Sequence, residues 1–264
     1  MSEPLTLIFS GWLLMAVVMT GLWFVQKIRQ DASIVDVAWS AGLGILVLFY
    51  AGNAEGYEPR RWLLGMVAGI WSFRLAAYLF INRVWGKTED GRYQTLRQNW
   101  GNNAQLYFFI FFQAQALLDV IFSLPFLVIA CNPEPTLRGW EYAGVAVWAA
   151  AIAGESLADW QLARFRADPR NRGTTCRVGL WRYSRHPNYF FEWLHWWTYV
   201  VMAIGTPYWW ATLIGPALML YLLFKVTGIP ATEAQALASR GDDYREYQRT
   251  TSAFIPWLPK KEMA

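Results

Sequence analysis

Asn188, Glu192 and His195 recur at spacings of four and three residues, which places them on one face of a helix, and Pro187 before them suits that helix's first turn. Arg182, Arg185 and His186 stand immediately upstream. The group reads as the wall of a polar cavity furnished with guanidinium groups, which match the geometry of phosphate. A clamp for lipid headgroups is the alternative use of the same side chains. Further upstream, GESLADWQLARFR puts Glu155 and Asp159 on one helical face, with Arg166 two turns beyond Asp159. Like charges at that spacing repel, so arginines of the segment 155–187 are expected to meet them.

A second set of polar residues lies in runs that are otherwise apolar, where an ionisable group is costly and therefore a candidate for function. Asp36 opens such a run in DASIVDVAWSAG, either as a working carboxyl or as a helix N-cap. Arg74, Tyr78 and Asn82 follow one another at single-turn spacing in WSFRLAAYLFINR and are expected to line one wall. Gln113, Gln115 and Asp119 share a third run, where hydrogen bonding between helices accounts for the two glutamines.

The elements that position these groups follow from composition. Of 264 residues 55% are hydrophobic and 16% are charged, too apolar a balance for a soluble domain of this length. Apolar segments at 5–25, 36–51, 62–81, 105–131, 140–154, 188–204 and 208–228 predict seven transmembrane helices in one all-α, polytopic domain over 1–264. No alternating strands of barrel type occur, so helices must satisfy the backbone in lipid. Alternate loops hold 19 basic residues against 3, with Arg74 left inside a run. That bias predicts an N-terminus outside and a cytoplasmic C-terminus.

Several classes are excluded. The net charge of +4 is accounted for by topology and calls for no nucleic acid. GLGILV at 42–47 lacks the third glycine of a dinucleotide fingerprint, and neither a Walker lysine motif nor a nucleophile elbow is present. Two histidines, with the two cysteines Cys131 and Cys176 far from them in sequence, predict no metal site. The cysteines fall on opposite faces of the membrane in this topology and are not expected to pair. Segment 5–25 lacks a basic leader and a small-residue cleavage site and is read as a first helix, not a signal peptide.

GLWRYSRHPNYFFEW, the tail GDDYREYQRTTSAFIPW, DVAW, WSFRLAAYLFINR and GESLADWQLARFR together resemble the bacterial branch of the steroid 5α-reductase family. The resemblance implies a seven-helix membrane fold that holds NADPH in its cytoplasmic half and admits an apolar enone from the bilayer. On that resemblance 1–135 is mainly the substrate side and 136–264 mainly the cofactor side. Asn82, Asp159, Arg166, Asn188, Tyr189 and Glu192 match cofactor-contact positions of the family, and Arg177, Arg182, His186, Tyr244 and Arg245 are added by charge and location. Asp36 stands near a substrate-facing glutamate of the animal enzymes and Trp71 near a catalytic tyrosine, and both depart from the family in residue type. The implied activity is NADPH-dependent reduction of the conjugated double bond of a 3-oxo-Δ4-steroid or similar lipophilic enone. Asp36, kept protonated by low-dielectric surroundings, would polarise the carbonyl directly or through Tyr78 or Trp71. The expected setting is the lipid bilayer, the inner membrane if the source is bacterial. The rival readings are an S-adenosylmethionine-dependent membrane methyltransferase, which resembles this chain in its His-Pro element, and a sterol or lipid receptor without cofactor. Methyltransferases of that kind carry paired glutamates in their last motif, whereas this chain has only Glu233 there.

Overall fold

A computed structural model describes residues 3–226 and 228–260. Lys261, counted above with the basic tail, and Thr227, within the last apolar segment, lie outside the described residues. Ten α-helices follow in chain order: α1 (Glu3–Arg29), α2 (Ile34–Asn53), α3 (Glu58–Leu79), α4 (Gly91–Trp100), α5 (Ala104–Ala130), α6 (Gly139–Ala167), α7 (Pro187–Met202), α8 (Ile214–Tyr221), α9 (Ile229–Arg240) and α10 (Asp242–Thr250). Wider π-type turns extend α3 over Phe80–Val84 and α8 over Leu222–Val226.

Five stretches among the described residues are long and apolar enough to cross a membrane: Glu3–Arg29, Ile34–Asn53, Glu58–Val84, Gly91–Ala130 and Trp209–Arg240. The chain is an all-helical membrane protein by that measure. Two of the seven expected spans do not meet it. The segment expected at 140–154 continues as α6 to Ala167, through Glu155, Asp159, Arg164 and Arg166. The helix α7 has 16 residues and reaches about 24 Å, short of a hydrocarbon core of roughly 30 Å.

Packing divides the chain into two units, 1–141 with 203–214, and 142–202 with 215–264. In the first, α2 is the shared helix, because its small residues let neighbours approach closely. A Cβ on Gly42 would meet Asp119 of α5 and Met15 of α1 at 2.5 Å, and one on Gly44 would meet Ser72 and Phe73 of α3 at 2.8 Å. Ser72 donates to the Ser40 carbonyl across the α2–α3 contact. Buried and half-buried polar groups pair between helices: Tyr50 with Ser123 at 3.0 Å, Gln26 with Gln105 at 2.8 Å, and Gln113 with Thr20 at 3.0 Å. The last is the interhelical bond expected of Gln113.

In the second unit Gly154 of α6 leaves room for the ring of Phe191 on α7, which a Cβ would approach to 2.3 Å. The segment after α10 is tied down by Ser184 Oγ donating to the Phe254 carbonyl at 2.7 Å and Trp257 N donating to the Tyr183 carbonyl at 2.9 Å. Phe254 then packs its ring on Phe190, Trp193 and Phe224. Gly179, at φ +58°, takes a backbone conformation that side chains disfavour and turns 179–182 onto α6, where Leu180 N donates to Gln161 and Trp181 to the Ala158 carbonyl.

Candidate functional site

In the first unit the polar residues gather around Asp36, one turn into α2. It lies inside the helix and caps nothing; its oxygens accept from Tyr93 Oη at 2.6 Å, Arg92 Nη2 at 2.7 Å and Arg83 Nη1 at 2.8 Å. Tyr93 is buried and arrives from α4, with the Arg92 guanidinium 5.2 Å above its ring. The polar helix α4 is held by its ends. Asp90 caps it through Arg92 N at 2.9 Å, and Asp90 N in turn donates to Ser33 Oγ at 2.9 Å, just before α2. Burial works against ionisation of Asp90, but hydrogen bonds and charge from Arg92 outweigh it and hold the carboxyl below its usual range. Glu89 completes the tie by accepting from Ala32 N at 2.8 Å and Arg97 Nη2 at 2.7 Å.

This arrangement departs from the expected one. Asp36 is an acceptor on both oxygens, not a donor waiting for a carbonyl. Trp71 is fully buried in α3, while Tyr78 and Asn82 are exposed, with Asn82 Nδ2 turned back onto the Tyr78 carbonyl at 2.8 Å. Tyr78 falls in the last turn of α3 and Asn82 in the wider turn Phe80–Val84 that follows it.

In the second unit Asn188, in the first turn of α7, donates to Asp159 Oδ1 of α6 at 3.1 Å. Its own side-chain oxygen accepts from Tyr189 N at 3.0 Å. The Tyr189 hydroxyl lies 3.2 Å from Thr232 Oγ1 on α9, and its ring stacks on buried His186 with centroids 5.3 Å apart. Glu233, next on α9, gathers Arg185 Nε at 2.7 Å, Gln248 Nε2 at 2.8 Å and His186 Nε2 at 3.2 Å. Tyr244 of α10 is buried beside this group; burial first, then the charge of Glu233, pushes its phenol up to about 12.

The expected cofactor residues therefore fall into separate places. Asp159, His186, Asn188 and Tyr189 meet where α6, α7 and α9 converge, with Glu192 one turn along α7 from Asn188. Arg166 and Arg182 are exposed, as is Arg172, and none of the three guanidiniums makes a hydrogen bond or ion pair among the described residues, although Arg166 lies near enough to Cys176 to act on its thiol through charge. Arg177 is committed elsewhere: its guanidinium donates to the Asp243 carbonyl at 2.7 Å and to Glu246 at 3.1 Å on α10. Arg245 pairs with Asp242 on the open surface, a contact of little energetic weight. Arg177 and Arg185 meet carboxylates of α10 and α9, while Glu155 and Asp159 have interactions of their own. Asn82 belongs to the first unit.

Sequence reasoning missed Tyr93, Thr232 and Gln248, and noticed Glu233 only as the lone glutamate of its motif. A phenol, a hydroxyl and an amide in polar helices carry no spacing signal; only the fold shows what they touch. Among the described residues no group of three or more His, Cys, Asp or Glu side chains is placed to hold a metal ion. Both cysteines are free, and burial raises the Cys176 thiol above its usual range.

A family described as a protein of unknown function, DUF1295, matches residues 22–251. An uncharacterized protein of Schizosaccharomyces pombe is 24% identical over 211 residues, which cover 70% of this chain and 61% of the relative. The chain thus spans less than two thirds of that relative's length. No solved structure matches it.

Proposed function

The chain belongs to the DUF1295 family, associated with steroid 5α-reductase-like membrane proteins, and we propose that it is an NADPH-dependent reductase of the conjugated double bond in a lipophilic enone, a 3-oxo-Δ4-steroid or a similar molecule. The observation that carries this reading is the Asn188–Asp159 contact on α6 and α7, with exposed Arg166 two helical turns along α6. An amide, a carboxylate and unengaged guanidiniums are the donors and acceptors that ribose hydroxyls, a carboxamide and phosphates require. Asp159 and Asn188 would hold the nucleoside, and Arg166, Arg172 and Arg182 the phosphates. His186 and Tyr189, already stacked and bonded to α9, would fix the rim; Arg177 drops out of the contact set because α10 engages it, whereas Arg245, only weakly paired with Asp242, stays available.

NADPH, when bound, supplies the hydride for the β carbon of the enone. The protein must then stabilise the negative charge that grows on the carbonyl oxygen and deliver a proton. We assign that task to the cluster on α2 and α4: Arg83 and Arg92 offer cationic N–H groups, and Tyr93, whose hydroxyl donates to Asp36, would turn that hydrogen to the carbonyl and deliver the proton in place of Asp36 itself. Transfer of the hydride and one proton yields the saturated ketone. α6 and α7 complete seven spans in this reading, with the N-terminus outside and the C-terminus cytoplasmic.

The test is a thermal-shift titration of the detergent-purified protein with NADPH, NADH and S-adenosylmethionine, because a ligand that binds only the native state raises its apparent stability. Stabilisation by NADPH, followed by enone-dependent loss of its absorbance, is expected. Stabilisation by S-adenosylmethionine alone would assign the chain to the methyltransferases, and stabilisation by lipids without any cofactor to the receptors.

A further inference from the structure

The first unit pairs buried and half-buried polar side chains between helices, Tyr50 with Ser123, Gln26 with Gln105 and Gln113 with Thr20, and two buried groups break that pattern. Asp119 of α5 has no accessible surface, and neither carboxyl oxygen has a hydrogen-bond partner among the described residues. The buried indole Nε1 of Trp39 on α2 likewise has none. The two belong to the same packing: the Trp39 ring meets Phe122 edge-on at 5.5 Å, and Phe122 is one turn from Asp119. A carboxyl group without a partner in the middle of an apolar bundle is costly, and a leucine would fill the position more cheaply.

The backbone is also shaped around this carboxyl. Gly42 faces it, and any Cβ there would come within 2.5 Å of Asp119 Oδ2. The same Cβ would come within 2.5 Å of the Met15 methyl, so the third wall is an unbranched, readily repacked side chain. An open donor, an open carboxyl, a glycine that makes room for it and a yielding methionine together describe a place where an oxygen of a ligand is received.

We propose that Asp119 and Trp39 form a polar anchor between α1, α2 and α5 that binds a hydroxyl or keto oxygen of an otherwise apolar substrate, at the end remote from the reduced bond. The proposal rests on the reductase reading and specifies its substrate class. Gly42 lies six residues along α2 from Asp36, a rise of roughly 9 Å, so the two polar ends of the substrate are about that far apart. The substrate is a lipophile with oxygen at both ends.

The experiment uses the full chain in nanodiscs and two probes: a tetracyclic enone with a hydroxyl on the ring opposite its ketone, and the same enone without the hydroxyl. Affinity is read by tryptophan fluorescence without cofactor, and KM by NADPH consumption. The wild type is expected to favour the hydroxylated enone by about tenfold or more, Asp119→Asn to keep that preference, and Asp119→Leu to abolish it while binding the deoxy enone as before and melting no lower. Trp39→Phe reduces the preference independently, should the leucine variant fail to fold. Equal affinity for both enones in the wild type, binding of neither, or an unchanged preference in Asp119→Leu overturns the anchor. Anchor-dependent binding without any NADPH consumption leaves the anchor standing and overturns the reductase reading instead.

Discussion

Arg60 Nε donates to Glu141 Oε1 at 2.6 Å across 81 residues of sequence, and neither side chain retains appreciable contact with solvent. Three of the four remaining guanidinium N–H groups are spent on the carbonyls of Asn132, Glu134 and Thr136. One arginine therefore folds the whole connection between α5 and the start of α6, satisfying backbone groups that have no ladder of their own. Removing the arginine leaves a buried carboxylate charge together with three open carbonyls, and removing the glutamate leaves a buried guanidinium charge. Arg60→Ala is expected to cost about 3–5 kcal/mol, read as a lowered melting temperature in detergent, with Glu141→Ala close behind and the double variant less than additive.

Gly154 tests the α6–α7 packing in a different way. Phe191 occupies the space above it at 2.3 Å from where a Cβ would lie, so even alanine must displace an aromatic ring. Gly154→Ala gains helix propensity of about 1 kcal/mol and loses more through overpacking. A net fall in melting temperature is expected, and rescue by Gly154→Ala combined with Phe191→Leu checks that the ring is the cause.

How much of this was legible depended on where the signal resides. Apolar runs marked α1, α2, α3 and α5 to within a few residues, because hydropathy alone decides what enters lipid. α6 ran 13 residues past its expected end at 154, since GESLADWQLARFRA stops being apolar without ceasing to favour a helix. Arg60 entered the sequence reading as one loop cation among others; charge counting sees no partners, and its partner is far away along the chain. α4 escaped notice because its residues are polar and its position is set by Asp90, Glu89 and Tyr93 reaching the start of α2. At the candidate site, the face of Asn188 and Glu192 followed from helical spacing and Pro187, whereas the commitment of Arg177 to α10 did not.

Tyr244 gives the second unit an alkaline limit. Its phenol ionises at about 12 in the folded chain, against an ordinary value of about 10, so the neutral form is favoured by folding. The sign follows from linkage: this contribution is complete below pH ~10 and is lost as pH rises from there through ~12. Thermal melts of the wild type should fall over that interval, and Tyr244→Phe should flatten the fall without lowering stability at pH 7 by more than about 1 kcal/mol.

Tyr93 and Asp36 should fail differently. If Tyr93 delivers the proton, Tyr93→Phe lowers kcat about 100-fold and leaves the KM for NADPH unchanged. Asp36→Asn keeps a hydrogen-bond acceptor for Tyr93 but removes the charge shared with Arg83 and Arg92, so it should be the milder change. Single-turnover reduction of an enone under saturating NADPH separates these effects from cofactor binding, and equal loss in the two variants would place the proton elsewhere.

The division of labour between the two units gives the last prediction. Asp159 and Asn188 meet each other on α6 and α7, whereas Asp36 makes its contacts with residues of α4 and the end of α3. A reductase that holds its cofactor on one set and polarises its substrate with the other should show the split in binding data. Asp159→Ala and Glu192→Ala are expected to weaken NADPH at least about tenfold in the thermal-shift titration, because each removes a polar group from the nucleoside side. Asp36→Ala should bind NADPH as the wild type does and lose turnover. Parallel loss of NADPH affinity in all three would overturn the assignment of substrate chemistry to α2.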